Sequence, residues 1–266
     1  MNRPSQPQAG LQRYRAIVSY DGSRFAGWQI QPDVETLQGE LQRALYDLTR
    51  ERRIVHASGR TDTGVHARGQ VIHFDLERRM PLRNLHLGLL AKLPEEIRVR
   101  KVARAAPDFH ARRSAVGKQY RYFIWNDPVA CPWLRHVRTH VRPRLDVAAM
   151  NRAAAQLVGR HDFQSFSANP SRVVESTVRD LRRLSVTRKG PEITIVAEAD
   201  GFLYKMVRSL SGFLLRVGAG ELDPDVATLI LASAERTARV PTAPPQGLFL
   251  WKVFYPEGRA SRRSRS

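Results

Sequence analysis

The feature that most constrains the fold of this 266-residue chain is the regular alternation of two hydrophobic spacings. In segments such as 14–20, hydrophobic residues recur at every second position, which is typical of a β-strand with one buried face. Between residues 34 and 48 they recur three and four positions apart, as on one face of a helix. The predicted strands are 14–20, 69–76, 97–103, 119–125, 181–187, 192–198 and 248–255. The predicted helices are 34–48, 82–92, one between Asp146 and Gly159, 202–217, and one that begins at Asp223-Pro224.

Each half of the chain therefore has several strands and at least two helices, which predicts an α+β protein built on one extended sheet. A chain of this length can bury a sizeable core, either as one large domain or as two closely packed halves. We predict an N-terminal half over 11–110 and a C-terminal half over 111–255. The ends, 1–10 and 256–266, have too few apolar residues to offset ordering, so we expect a flexible N-terminus and a basic, disordered tail.

The charge of the chain is strongly unbalanced, with 44 basic residues against 25 acidic ones and a net charge of +19. A folded domain this basic is expected to bind a polyanion such as nucleic acid, because neutralising phosphates releases counterions. The alternative is a compositional bias, since only 6 of the 44 basic residues are lysine.

Several classes of protein are disfavoured by what the sequence lacks. There is no apolar run of the roughly 20 residues that a membrane helix needs, and no apolar secretory signal at the N-terminus. One cysteine, Cys131, excludes an intramolecular disulfide and a four-cysteine zinc site. His56, His66 and His73 have no recognised metal-ligand spacing. We expect a soluble, cytoplasmic protein with no membrane association and no metal.

A glycine-rich loop between two predicted strands, residues 58–70, is the strongest functional candidate. It places one carboxylate, Asp62, among Arg60, His66 and Arg68. Cationic neighbours favour the ionised carboxylate, and glycines permit close approach by a ligand. The alternative is a loop aspartate that only caps its own backbone.

Arg208 lies on a predicted helix that is apolar on almost every side. A charge in an apolar setting needs a partner or it is costly, and Asp62 is the candidate carboxylate. The alternative is that the stem of the arginine is buried while its head reaches water.

Alternation in the predicted strand 119–125 sends Tyr120 and Tyr122 to one face and Arg121 to the other. Tyrosines on a sheet can stack on nucleobases, as in RNA-binding sheets. The alternative is that both rings are ordinary core residues.

Five motifs, in this order along the chain, resemble the tRNA pseudouridine synthase A (TruA) family. They are residues 59–67, 109–112 with 118–122, 161–166, 206–208 with Gly212, and 247–250. The resemblance extends over roughly residues 11–255, nearly the whole chain. Thr63 departs from the pattern, since the family usually has alanine there.

The resemblance implies a pseudouridine synthase fold, in which two similar α/β halves share one extended mixed or antiparallel sheet with a central catalytic cleft. It implies isomerisation of uridine to pseudouridine in the tRNA anticodon stem-loop, at tRNA positions 38, 39 and 40. It also implies a homodimer that uses no cofactor and no metal.

Carried over by motif, the resemblance implies that Asp62 is the catalytic acid and that Arg208 pairs with it. Tyr120 would contact the target base and could help to remove its C5 proton. Arg60 would hold or replace the flipped nucleotide, and Leu248 would wall the base pocket.

Two other functions remain as alternatives. The triplet Asp62-Thr63-Gly64 also occurs in aspartic proteases, but those enzymes need two carboxylates that share a proton. A noncatalytic RNA-binding protein with the same fold would need the basic surface but not the Asp62–Arg208 pair.

Overall fold

The computed structural model describes residues 10–168 and 175–256, so all of the predicted flexible ends except Gly10 and Pro256 lies outside the described residues. The strands are β1 (Gln12–Tyr20), β2 (His56–Ala57), β3 (His66–Leu76), β4 (Ile97–Arg104), β5 (Gly117–Asn126), β6 (Thr139–Val141), β7 (Gly159–Asp162), β8 (Val178–Lys189), β9 (Glu192–Ala199) and β10 (Leu248–Phe254). The α-helices are α1 (Leu37–Thr49), α2 (Leu82–Lys92), α3 (Val147–Leu157), α4 (Met206–Gly218) and α5 (Val226–Ser233). No helix in the described part of the chain is long and apolar enough to span a bilayer.

The strands form one mixed sheet in the order β4-β1-β3-β10-β5-β9-β8-β7, with β2 paired to β3 and β6 paired to β5. The predicted α+β architecture on one extended sheet is thus confirmed. The last strand, β10, lies at the centre, where it runs parallel to β3 and antiparallel to β5. It therefore joins the strands of the two predicted halves. The boundary between those halves at residue 110 stays a prediction.

The ends of two predicted helices differ from expectation. Asp146 caps α3 as predicted, accepting hydrogen bonds from the backbone N–H groups of Ala148 and Ala149 at 2.8 and 3.0 Å. The helix ends before Gly159, however, because Val158 is already extended and Gly159 begins β7. The start of α5 is Val226, two residues after the predicted proline.

The first predicted helix also begins later than the hydrophobic pattern suggests. Thr36 caps α1, and its side chain accepts a hydrogen bond from the backbone N–H of Gly39. Val34 lies before this cap and is 49 % exposed. The prediction that Val34 belongs to the buried stripe is therefore wrong. The recurrence of hydrophobic residues three and four positions apart can extend by chance into the loop before a helix.

Helix α4 is central, as its apolar composition predicts, since ten of its thirteen residues are buried. It begins at Met206 and not at residue 202, because Lys205 adopts a left-handed backbone conformation with φ of 55°. A Cβ at Gly212 would lie 2.1 Å from the carbonyl oxygen of Pro241. Only glycine therefore lets α4 pack directly on the segment that leads into β10.

Candidate active site

A cleft of about 1020 Å³ opens between the loop that follows β2 and the N-terminal end of α4. The five residues that the sequence singled out as a site all line it, although four different parts of the chain supply them. These residues are Arg60, Asp62, Tyr120, Arg208 and Leu248. The structure brings the predicted residues together, and their roles stay predictions.

The loop that carries Asp62 is fixed on both sides by hydrogen bonds. The backbone N–H of Trp28 donates to the carbonyl of Thr61 at 3.0 Å, and the Tyr20 hydroxyl lies 2.9 Å from Thr61 Oγ1. The side chain of Gln70 donates to the carbonyl of Gly59 at 2.8 Å. Asp62 is therefore held on a rigid support, as a reacting group requires.

Gly27 explains how a second segment approaches this loop so closely. A Cβ at this position would lie 2.9 Å from the carbonyl oxygen of Thr61, and the backbone φ of Gly27 is +87°. Both the space and the conformation require glycine. The 26–28 segment can thus form one wall of the cleft.

The predicted contact between Asp62 and Arg208 is present, with 3.0 Å between the Arg208 guanidinium and the Asp62 carboxylate. The Arg208 side chain is 12 % exposed and that of Asp62 is 28 % exposed. Arg208 Nε also donates to the carbonyl of Ala243 at 2.7 Å. The guanidinium is thus fixed at two points, and the alternative that it reaches into water is wrong.

The two tyrosines of β5 differ in position. Tyr120 lines the cleft and packs edge-on against the ring of Phe202, with 5.2 Å between centroids. Tyr122 is fully buried, and its hydroxyl lies 2.6 Å from Thr139 Oγ1 and donates to the carbonyl of Pro244. Stacking on a nucleobase therefore stays a prediction for Tyr120, whereas Tyr122 is a core residue.

The hydroxyl of Tyr120 has no hydrogen-bond partner among residues 10–168 and 175–256. Burial raises its pKa, and the negative charge of Asp62 acts in the same direction as a smaller cause. The hydroxyl is therefore protonated at neutral pH. The hydroxyl can therefore donate a hydrogen bond to a ligand in the cleft.

Arg60 and Leu248 occupy opposite kinds of environment. Arg60 is exposed on the loop that carries Asp62, where its side chain is free to contact a bound ligand. Leu248 is 6 % exposed and begins β10. It supplies an apolar wall to the cleft.

Two residues expected around Asp62 lie outside the cleft. Arg68 belongs to β3 and stacks on the ring of Trp251, with 4.5 Å from its guanidinium carbon to the centroid. His66 is buried and stacks on Phe249. Both line a separate depression, so the cationic surroundings of Asp62 come from Arg60 and Arg208 instead.

Lys118 lines the cleft although the sequence analysis gave it no role. It precedes Tyr120 by two residues on β5, so strand alternation places both side chains on one face. Burial, together with the nearby charge of Arg112, lowers the pKa of the lysine to about 8. The side-chain alternation in β5 that identifies Tyr120 therefore also identifies Lys118 as a residue of the same face.

A histidine cluster was also missed. His56, His73 and His110 come from β2, β3 and the segment after β4, and one ring nitrogen of each lies within 4.8 Å of the others. No spacing in sequence predicts this cluster, because the sheet register brings its members together. The histidine group considered from the sequence contained His66, which lies elsewhere.

Comparison with known proteins gives one consistent result. The family model described as tRNA pseudouridine synthase matches residues 16–112 and 153–256. The chain is 44 % identical over 248 residues to tRNA pseudouridine synthase A of Oceanobacillus iheyensis, covering 93 % of this chain and 98 % of that protein. It is 46 % identical over 243 residues to tRNA pseudouridine synthase A of Moorella thermoacetica, covering 91 % and 98 %. The protein of that name from Brevibacillus brevis is 44 % identical over 245 residues, covering 92 % and 100 %.

We predict that Asp62 and Arg208 stabilise the fold jointly. In a double-mutant cycle of Asp62→Ala and Arg208→Met, the free energy of unfolding in urea should show a coupling of about 1–3 kcal/mol. The exposed pair of Asp180 and Arg182, 3.2 Å apart, is a matched control, and its coupling should stay below about 1 kcal/mol. Equal coupling for the two pairs would show that the cleft pair has no special structural role.

Proposed function

Because the chain belongs to the tRNA pseudouridine synthase family, we propose that it isomerises uridine to pseudouridine within tRNA. The observation that carries this proposal is the position of Asp62, the only carboxylate among the described residues that line the cleft. A guanidinium holds it at 3.0 Å. The relatives that cover more than nine-tenths of the chain are named for the same reaction.

The proposed reaction is an isomerisation and needs no other reactant. The N1–C1′ bond of uridine breaks, the uracil turns, and a C5–C1′ bond forms. The proton leaves C5, and N1 gains a proton, so atoms and electrons balance. There is no net oxidation and no input of energy, and the proposal therefore includes no cofactor.

Asp62 is the proposed catalytic residue. Its carboxylate could attack C1′, add to C6 or remove the proton from C2′, and each of these routes needs only one carboxylate. A glycosidase that hydrolyses the same kind of bond needs two. Arg208 orients the carboxylate, because the guanidinium is itself fixed by the carbonyl of Ala243.

The remaining cleft residues are proposed to bind the target nucleotide. A base inside a stem is inaccessible, so it must be flipped out, which costs a few kcal/mol. Tyr120 and Leu248 would hold the flipped uracil between an aromatic ring and an apolar wall. Arg60 is exposed on the same loop and would hold the flipped nucleotide or fill the space that it leaves.

We propose three finer features from the motif resemblance. The target uridines are at tRNA positions 38, 39 and 40 in the anticodon stem-loop. The enzyme is a homodimer, and it works in the cytoplasm. The net charge of +19 supports a large polyanionic substrate such as tRNA.

The alternative functions make different demands on Asp62. An aspartic protease needs a second carboxylate beside it, but the contact of Asp62 within the described chain is the guanidinium of Arg208. A noncatalytic RNA-binding protein would lose nothing essential if the carboxylate were neutralised. Replacement of this one residue therefore separates the enzyme from the binding protein.

We predict that Asp62→Asn abolishes pseudouridine formation and leaves tRNA affinity within about twofold. The amide keeps the shape of the side chain but cannot act as a nucleophile or base, so turnover should fall at least about a thousandfold. Release of tritium from tRNA that carries 5-³H-uridine measures the reaction.

The matched control is Asp223→Asn, since Asp223 lies outside the cleft and its oxygen accepts a backbone hydrogen bond that an amide oxygen also accepts. The control should retain normal turnover. Normal turnover by Asp62→Asn would show that the catalytic assignment is wrong.

We predict that Tyr120→Phe retains tRNA affinity but slows the reaction about 100- to 1,000-fold. The ring that stacks on uracil remains, whereas the unpaired hydroxyl donor is lost, and one positioned donor has an effect of this size. Single-turnover rates at saturating enzyme measure the chemical step. An unchanged rate would remove any role for the hydroxyl, including help with the C5 proton, and would leave only stacking.

A further inference from the structure

Four side chains along the cleft form what we call the donor cluster: His56, His110, Arg112 and Lys118. Each of them carries positive charge or can present an N–H group. No carboxylate among the described residues pairs with any of the four. The donor cluster therefore contains more hydrogen-bond donors than the carboxylates of the described chain satisfy.

Lys118 is the most informative member of the cluster. Its ammonium group has no ion pair and no hydrogen bond within residues 10–168 and 175–256. A Cβ at Gly59 would lie 3.0 Å from Lys118 Nζ, so the loop that carries Asp62 passes directly over the amine. An unpaired ammonium that is partly buried is costly, and an anion that enters the cleft would reduce that cost.

The tautomer of His110 makes this residue a donor too. Its Nδ1 accepts hydrogen bonds from the backbone N–H groups of Arg112 and Arg113 at 3.1 and 3.3 Å. Burial and the nearby arginines lower its pKa to about 4, so the ring is neutral at pH 7. In a neutral ring whose Nδ1 is an acceptor, the proton is on Nε2. His110 therefore presents an N–H group.

The same reasoning argues against a cation at the three clustered histidines. His73 Nδ1 accepts a hydrogen bond from the backbone N–H of Ala111 at 3.2 Å, so its Nε2 also carries the proton. A metal ion needs the lone pair of an unprotonated nitrogen. Arg13 and Arg113 lower the pKa of these rings further, and would repel a cation as well. The N–H groups of these histidines and the nearby arginines therefore favour an anion over a cation.

We propose that the donor cluster binds a phosphodiester group of the RNA strand that carries the target uridine, with Lys118 as the central, partly buried contact. This inference rests on the proposed function, since it takes RNA as the ligand. A flipped nucleotide brings its flanking phosphates with its sugar, and Gly59 is only three residues from Asp62. A phosphate on Lys118 would therefore fix the position of the sugar relative to the carboxylate.

The test compares Lys118→Met with Lys189→Met, in which the replaced lysine is exposed at the end of β8 and outside the cleft. The affinity for an unmodified tRNA transcript is measured by filter binding at pH 7 between 50 and 300 mM salt. Loss of one phosphate contact should weaken binding about tenfold and reduce the slope of log affinity against log salt by about 1. Lys189→Met should bind within about twofold of the wild type.

A second measurement uses pH and does not depend on the methionine variant folding. Lys118 loses its proton near pH 8 in the free enzyme, and a bound phosphate favours the protonated form. Wild-type affinity should therefore be higher at pH 7 than at pH 9, by up to about tenfold per pH unit above 8. In Lys118→Arg the charge persists, and this pH dependence should disappear while the affinity at pH 7 is retained.

The other cleft side chains that have a shifted pKa do not change charge between pH 7 and pH 9. The charge near Lys118 is that of Arg112, and His56 and His110 are neutral because burial lowers the pKa of each. The Tyr120 hydroxyl stays protonated because burial raises its pKa. A pH dependence that Lys118→Arg removes is thus specific to the lysine.

The outcomes separate this inference from the proposed function. Wild-type affinity and an unchanged salt slope in Lys118→Met, or an unchanged pH dependence in Lys118→Arg, would overturn the phosphate site. Pseudouridine formation by the wild-type enzyme would leave the proposed function intact in that case. Failure of the wild-type enzyme to form pseudouridine in the bound tRNA would instead overturn the proposed function.

Discussion

The ion pair between Asp62 and Arg208 is the interaction on which the rest of the site depends. It joins residues 146 positions apart, one on a loop beside β3 and the other on α4. A partly buried pair is stable only when its remaining donors and acceptors are also satisfied. The carbonyl of Ala243 provides this for Arg208, and Gly212 lets α4 approach the segment that contains it. Helix, loop and central strand β10 therefore fix one carboxylate in the cleft.

The acidic and the basic side chains of the cleft have different proposed roles. One carboxylate stands where chemistry is proposed, whereas arginine, lysine and histidine donors surround it. An anion opposes RNA binding, so the single carboxylate of the cleft supports the role that we propose for it in the reaction. The unpaired ammonium of Lys118 has the opposite role in our proposal, because its cost in the free protein is reduced when an anion enters the cleft. Apart from Asp62, the charged residues that line the cleft are thus all basic, as expected for binding to a polyanion.

The sequence predicts the sheet and the Asp62–Arg208 contact well, because both follow from local rules. Alternation identifies the strands, and a charge in an apolar helix requires a partner. The errors have physical causes. Arg68 lies within the predicted loop 58–70, but it belongs to β3, and its side chain stacks on Trp251 away from the cleft. The histidine cluster depends on the register of His56 against His73, which no local pattern contains. The start of α4 depends on the left-handed conformation of Lys205.

The central claim is that this cleft rearranges a uridine within tRNA. The most direct measurement incubates the wild-type protein with an unmodified tRNA transcript that has uridines at positions 38, 39 and 40, and then maps pseudouridine along the strand. The account predicts pseudouridine at these positions, with the total length and sequence of the strand otherwise unchanged. A transcript that the protein binds but returns with no pseudouridine would contradict the account and favour a noncatalytic RNA-binding protein.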